Sequence, residues 1–390
     1  MEAQGQVAVV GAGAMGAGIA QVAATAGHPV HLVDGRDGAA RAAVDGIVRR
    51  LDDRVARGRT TREEADAVAD RLHVVAAVTD LPECALVLEA VTEDLAVKQA
   101  LLHEISDHQP STTLLASNTS SLDVDRIADA VASPERVLGL HFFNPAPAMP
   151  LVEVVAGERT ASAYVDFAAD LVRAWGKTPV RCRSTPGFVV NRVARPFYGE
   201  AFRMLADGVA GSATLDAALR GAGFKLGPLE LTDLIGQDVN LAVGTSVWEQ
   251  TDRDPRYAPV PLQQDLVAQG RLGRKSGHGV FRYDAAGHAV DAQPDEARVA
   301  ELVGGPLVTD PVARTLAMLV NEAVDLVDRG EASAEDVDLA LRLGAGYPRG
   351  PIEWGRELGY DVVAQQLREL DAAFPGGRYR PSPALTREHA

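Results

Sequence analysis

A histidine and a glutamate carry the chemistry that can be read first from this chain. His141 stands in the run GLHFFNP (139–145), an ionisable ring among apolar neighbours, and Glu153 follows 12 residues later in PLVEVV. The Pro-rich stretch 145–150 between the two strand-like runs makes a turn that returns the chain, so that the carboxylate meets the imidazole. A buried carboxylate fixes a histidine's tautomer, orients its ring and stabilises its protonated form, as a proton acceptor requires. Oxidation of a hydroxyl to a carbonyl needs such a base for the O–H proton while hydride leaves the carbon. A structural His–Glu pair without chemistry has the same signature, so the rest of the chain must supply the hydride acceptor.

That acceptor is legible at the start. The β-branched run QVAVV (6–10) leads into Gly11-Ala12-Gly13-Ala14-Met15-Gly16, and small apolar residues then continue at helical spacing. In G-x-G-x-x-G between strand and helix, Gly11 permits the tight turn, Gly13 lets the backbone approach a pyrophosphate, and Gly16 lets the helix pack closely. The helix N-terminus, with Ala14 and Met15 in its first turn, offers N–H groups to the phosphates. A second strand, PVHLVD, ends on Asp34, 18 residues after Gly16, where a carboxylate accepts hydrogen bonds from ribose hydroxyls. An acid there selects NAD by repelling the 2′-phosphate of NADP, although Arg36 nearby is a residue that would meet such a phosphate. Downstream, ALVLEAVTED is a buried strand with Glu89, Glu93 and Asp94 at its carboxyl end, followed by Lys98 on a helix. Ligands lie at the carboxyl ends of strands in open parallel sheets, which places Glu93 and Lys98 toward the cofactor.

Alternating strand and helix signals, with LLASNTSSL (114–122) and VLGLHFFNPAPAMPLVEVV (137–155) among them, predict an α/β Rossmann-type doubly wound sheet domain over 1–183. From Pro186 helical periodicity takes over, predicting all-α structure that contains two repeats. GEAFRMLADGVAGSATLDAALRGAGFKLGP, from Gly199, lines up with NEAVDLVDRGEASAEDVDLALRLGAGYPRGP, from Asn321, at an offset of 122 that becomes 123 near the GAG turn. RYAPVP (256–261) and RYRPSP (378–383) return to 122. The expected division is a first helical domain at 184–283, a polar linker at 284–305 and a second, degenerate repeat at 306–390. Asn191 falls opposite Ala313 and no second GRKSGHG tail follows, so one active site is expected. The second repeat would pack on the first as an internal pseudo-dimer, giving a monomer; an ordinary homodimer is the other possibility.

A formal net charge of −16 speaks against nucleic acid and anionic membrane as partners. The densest positive cluster, Arg49, Arg50, Arg54, Arg57 and Arg59, is either a solvated helix face or the place for a phosphorylated ligand tail. Only Cys84 and Cys182 are present, which fits a reducing compartment and gives no metal-ligand spacing, so no metal is expected. The apolar beginning lacks a basic flank and is broken by glycines, so neither signal peptide nor membrane span is expected and the protein is placed in the cytoplasm. In that compartment the sequon at Asn118 has no consequence.

Six stretches in order, VVGAGAMGAGIA, EAVTEDLAVK, ASNTSSL, GLHFFNPAPAMPLVEVV, TPGFVVNR and GRKSGHGVF, resemble the 3-hydroxyacyl-CoA dehydrogenase family. The resemblance implies NAD-dependent interconversion of 3-hydroxyacyl and 3-oxoacyl thioesters, of the 3-hydroxybutyryl-CoA type, on coenzyme A or an acyl-carrier protein. It implies His141 as general acid/base with Glu153 as its partner, Ser120 as a hydrogen-bond donor to the substrate oxygen, and Asn191 as a second hold on that oxygen. Glu93, Lys98, Asn144 and Lys275 would contact NAD. Where the family often has a serine and a lysine on coenzyme A, this chain has Arg50 and Arg57. A noncatalytic NAD-binding protein on the same scaffold is the alternative, and its signature would be loss of His141, Glu153, Ser120 or Asn191.

Overall fold

The computed structural model describes residues 5–386, and its compact units divide between Phe188 and Val189. The division falls beyond residue 183 because the TPGF turn stays with the sheet, where the Phe188 ring lies 5.8 Å from that of His141.

The first unit is one eight-stranded sheet of order β3-β2-β1-β4-β5-β6-β7-β8. Its strands are β1 (Val7–Val10), β2 (Val30–Val33), β3 (Leu72–Val74), β4 (Leu86–Glu89), β5 (Leu114–Ser117), β6 (Val137–Phe142), β7 (Leu151–Ala156) and β8 (Thr178–Arg183). β1, β4 and β5 are buried at every residue, as expected of parallel strands with helices on both faces. Five crossings are parallel from β3 through β6, and β7 then returns antiparallel to β6 because the 145–150 turn is too short for a helix. Chain order reverses between β1 and β4, so a crevice opens beyond their carboxyl ends.

The helices follow from apolar spacing. α1 (Ala14–Thr25) buries Ile19, Ala20 and Ala23 against Val7 and Val9 of β1. α2 (Ala39–Ala56) buries Ala40, Val44, Ile47 and Leu51, a single face at helical period, and turns its arginines outward. α3 (Arg62–Asp70) begins at a capping box of Thr61 and Glu64 and is tied back to α2 by Arg62 on Asp52, 2.7 Å. α4 (Leu95–His108) starts at Asp94, whose side chain accepts from Val97 N.

The second unit is helical and holds both repeats. In the first, Asp216 caps the helix Pro228–Ile235 by accepting from Leu229 N and Glu230 N; in the second, Asp338 caps Pro351–Leu358 through Ile352 N and Glu353 N. The cap thus recurs with the same shift of offset that the sequence shows. Between the repeats, segment 284–305 is more than a linker: it forms the helix Glu296–Leu302, whose Arg298 donates to Val209 O and whose Leu302 is buried.

The repeats grip one another reciprocally. Arg192 Nε lies 2.5 Å from Glu322 Oε1, with Arg256 Nη1 at 3.5 Å from the other oxygen and the Tyr257 hydroxyl donating to Glu322. Across from it, Arg314, Arg378 and Tyr379 close on Glu200, each at 2.8 Å. The two sets are the same residue types displaced by 122. Contact of i with j matched by j′ with i′ is the signature of an isologous, two-fold interface, here within one chain.

Among the described residues no helix is long and apolar enough to cross a membrane.

Candidate active site

The cofactor end is built by the β1 turn. A Cβ on Gly16 would sit 1.8 Å from Gly11 O, and Gly11 has φ of +108 with Ala90 O beside it, so neither position accepts a side chain. A Cβ on Gly13 would meet nothing within 4 Å, which leaves its backbone facing open space for a ligand. A cleft of about 740 Å³ opens there, lined by Gly11, Gly13, Asp34, Arg36, Ala90 and Val97 among others. Asp34 closes β2 and accepts from Ala12 N at 2.7 Å, fastening the glycine turn to the ribose-recognising acid. Arg36 folds back on it, Nε to Oδ1 at 3.0 Å, and hydrogen bonds from Arg36 chiefly, helped by Ala12 N, hold the Asp34 carboxyl at about 2. The acid is therefore ionised at any working pH, and these residues fit a dinucleotide with free ribose hydroxyls.

One strand further, two carboxylates divide the work. Glu89 ends β4 fully buried, and the equally buried Lys98 of α4 reaches both its oxygens at 2.9 Å; Ser117 also donates to it. Lys98, expected at the cofactor, has Glu93 Oε2 at 3.4 Å as its other neighbour. Glu93 Oε1 in turn accepts from Thr119 Oγ1 at 2.8 Å, Ser120 N at 2.8 Å and Ser120 Oγ at 3.1 Å. Burial pushes the Glu93 carboxyl up, but Lys98 and the Thr119 and Ser120 hydrogen bonds outweigh it and hold the group below the usual carboxylate range. Glu93 thus sets the position of Ser120. Ser117 and Thr119 were not singled out in the sequence, and Glu89 was placed at its strand's end without a role; the signal was an acid ending an apolar strand with a lysine 9 residues on.

His141 and Glu153 face one another as a direct cross-strand pair of β6 and β7. Nδ1 of the ring lies 2.6 Å from Glu153 Oε2, with Glu153 wholly buried and His141 6% exposed. A carboxylate on Nδ1 accepts the N–H there and leaves Nε2 as the basic nitrogen. The ring is walled by Phe143, at 4.5 Å between centroids, and Phe188. Asn118, noted in the sequence only as part of a sequon, accepts from Phe142 N at 2.9 Å and so ties the Ser120 loop to the strand that carries the histidine. Asn144 and Pro145 open the turn just beyond.

Of the remaining residues named from the sequence, Arg50 and Arg57 are exposed on or just after α2, and Arg50 donates to Gln21 Oε1 at 3.3 Å. Asn191 and Lys275 belong to the helical unit; Asn191 O accepts from Arg195 Nε at 2.7 Å, and Lys275 Nζ pairs with Asp238 at 2.6 Å. Among the described residues no group of His, Cys, Asp and Glu is placed to hold a metal ion.

Residues 6–185 match the model of the 3-hydroxyacyl-CoA dehydrogenase NAD binding domain, and 187–283 and 311–388 match that family's C-terminal domain. The chain is 42% identical to 3-hydroxyadipyl-CoA dehydrogenase of Escherichia coli K12, covering 98% of this chain and 97% of the relative. It is 39% identical to 3-hydroxybutyryl-CoA dehydrogenase of Mycobacterium tuberculosis, over 71% of this chain and 98% of that one. The crystal structure of an Escherichia coli K12 3-hydroxybutyryl-CoA dehydrogenase superposes with a TM-score of 0.89 at 41% identity, covering 97% of each chain. Sheet unit and helical unit together, the chain belongs to the 3-hydroxyacyl-CoA dehydrogenase family.

Proposed function

We propose that this protein interconverts 3-hydroxyacyl-CoA and 3-oxoacyl-CoA with NAD, and that His141 moves the proton. The observation that carries the reading is the 2.6 Å bond that Nδ1 of an almost buried imidazole makes to Glu153 Oε2. When bound on the glycine turn and Asp34, NAD supplies the hydride acceptor. In oxidation, Nε2 of His141 takes the hydroxyl proton, and the Glu153 carboxylate stabilises the resulting imidazolium without itself taking up the proton. In reduction the same nitrogen returns it. Ser120, positioned by Glu93, donates to the substrate oxygen, and Asn191 of the helical unit supplies a second hold. Glu93 serves the cofactor side through the Ser120 loop, Asn144 and Lys275 contact NAD directly, and Lys98 acts by fixing Glu93. Arg50 and Arg57 offer positive charge to a phosphorylated carrier, coenzyme A in the first place and an acyl-carrier pantetheine in the second.

The domain reading at the C-terminal side is a first helical repeat, a connecting segment and a second repeat that serves as the internal partner of the first. Its support is the reciprocal pair of Arg–Glu–Tyr clusters and the shared cap. Of the two reported relatives that span both repeats, one bears the name of a dicarboxylic acyl-CoA and the other that of 3-hydroxybutyryl-CoA, which brings both classes within the substrate range.

The test is NADH formation by the purified chain with 3-hydroxybutyryl-CoA, 3-hydroxyadipyl-CoA and 3-hydroxybutyryl-acyl-carrier protein, with NAD or NADP. Turnover of at least one CoA ester with NAD preferred is expected. Absence of turnover with every thioester would overturn the assignment to this chain.

A further inference from the structure

The two halves of the helical unit are alike in their Arg–Glu–Tyr clusters but not in what surrounds them. Around Glu322 the arginines are matched: Asp325 reaches Arg192 at 3.1 Å and Arg329 at 2.9 Å, and Glu331 also accepts from Arg192. At the positions displaced by 122 stand Arg203 in place of Asp325 and Val209 in place of Glu331. Arg203, Arg314 and Arg378 therefore gather where Glu200 is the buried counter-charge, and they line a cavity of about 430 Å³. Asp207, exposed at the rim, is the carboxylate on its lining, Glu200 lying behind the arginines that it pairs.

Arg314 and Arg378 spend their donors largely on Glu200, Tyr379 and backbone carbonyls. Arg203 does not. Its Nη2 donates to Ala258 O at 2.9 Å, but its Nε is buried without a hydrogen-bond partner. A buried unsatisfied guanidinium N–H is costly, and among the described residues Arg136 Nε is the other arginine nitrogen left in that state. Burial, together with the repulsion of Arg378, lowers the Arg203 guanidinium to about 10, so it remains a cation at neutral pH. Apolar walls from Val260 and Phe374 complete the cavity.

We propose that this cavity binds a small anion, a phosphate or a carboxylate, with Arg203 as hydrogen-bond donor and Arg314 and Arg378 as the supporting positive field. A planar guanidinium on the cavity lining, with donors left over from its one bond to Ala258 O, is the group suited to either oxyanion. Its lining shares no residue with the groups assigned to proton transfer, and it arises where the internal two-fold is broken.

The experiment is isothermal calorimetry on the whole chain saturated with NADH, titrating inorganic phosphate, adipate, or sodium chloride at matched ionic strength. Saturable binding of phosphate or adipate but not chloride is expected, and which of the two binds identifies the headgroup. Arg203→Asp, which installs the acid that the other half carries, should weaken binding at least about tenfold, since it replaces a charge-assisted donor by a like charge. Arg203→Gln, checked for native circular dichroism, serves the same purpose should the aspartate variant fail to fold. No saturable binding by either anion in the native protein, or unchanged binding in a folded Arg203 variant, would overturn the proposal.

Discussion

Replacing Glu153 by glutamine keeps the side chain's shape in β7 and removes its charge, so it isolates what the carboxylate does for His141. The two groups are buried partners, 2.6 Å between Nδ1 and Oε2. With charge centres about 4 Å apart and an effective dielectric of about 20, the carboxylate stabilises an imidazolium by about 4 kcal/mol. That is about a thousandfold in rate. The amide brings a second penalty: its NH₂ can donate to Nδ1, which moves the ring proton to Nε2 and blocks the nitrogen that must accept the substrate proton, and such a wrong tautomer costs about 10⁴ in kcat. The expected loss is therefore about 10³–10⁴ in kcat for 3-hydroxybutyryl-CoA oxidation, with KM for NAD within about twofold of the parent because the lost interaction is made in the transition state. Steady-state NADH absorbance measures both. A variant of native circular dichroism that keeps kcat within about tenfold would refute the orienting role of Glu153.

Three further outcomes follow from the buried charges and the duplicated helices. Lys98→Met leaves Glu89 buried and unpaired, so urea unfolding at neutral pH should show a loss of about 3–5 kcal/mol; a loss below about 1 kcal/mol would mean that Lys98 is a cofactor contact with little structural load. Burial raises Glu200, but Arg378 and Arg314 overcome it and hold the folded-state carboxyl at about 2, well below the ordinary glutamate value of about 4.3. A lowered folded-state value stabilises above the unfolded one, so about 3 kcal/mol is present near neutrality and lost as pH falls from about 5 toward 2; urea midpoints against pH should show that acid slope in the parent and a shallower one in Glu200→Gln. Native mass spectrometry should find a single chain of 41.1 kDa, and an obligate dimer joined through both helical repeats would contradict the internal-partner reading.

Much of the sheet unit could be read from the chain because its signals are local. Gly11 to Gly16 and Asp34 sit at spacings set by one strand–turn–helix–strand unit, and the turn at 145–150 is short enough that His141 and Glu153 have few ways to avoid each other. Burial was harder to foresee. Lys98 carries a side chain long enough to point into the crevice or beneath it, and only the register of β4 against β5, which brings Glu89 alongside Ser117, decides for the interior. Arg36 stands two residues after Asp34, yet its folding back on that acid depends on rotamers that spacing does not determine. In the helical unit the offset of 122 exposed the repeat, but the contacts of Arg192 with Glu322 and Arg314 with Glu200 join residues more than a hundred positions apart. The clue was present: both arginines and both glutamates recur at the same offset, as residues under a shared two-fold constraint would.

The central claim is that the His141 imidazole accepts the substrate proton as hydride departs. Single-turnover stopped-flow of His141→Gln with saturating NAD and 3-hydroxybutyryl-CoA tests it most directly. The account predicts cofactor binding like the parent's and hydride transfer slowed by at least about 10³, the scale expected when a positioned base is lost. Hydride transfer at the parent rate would contradict it.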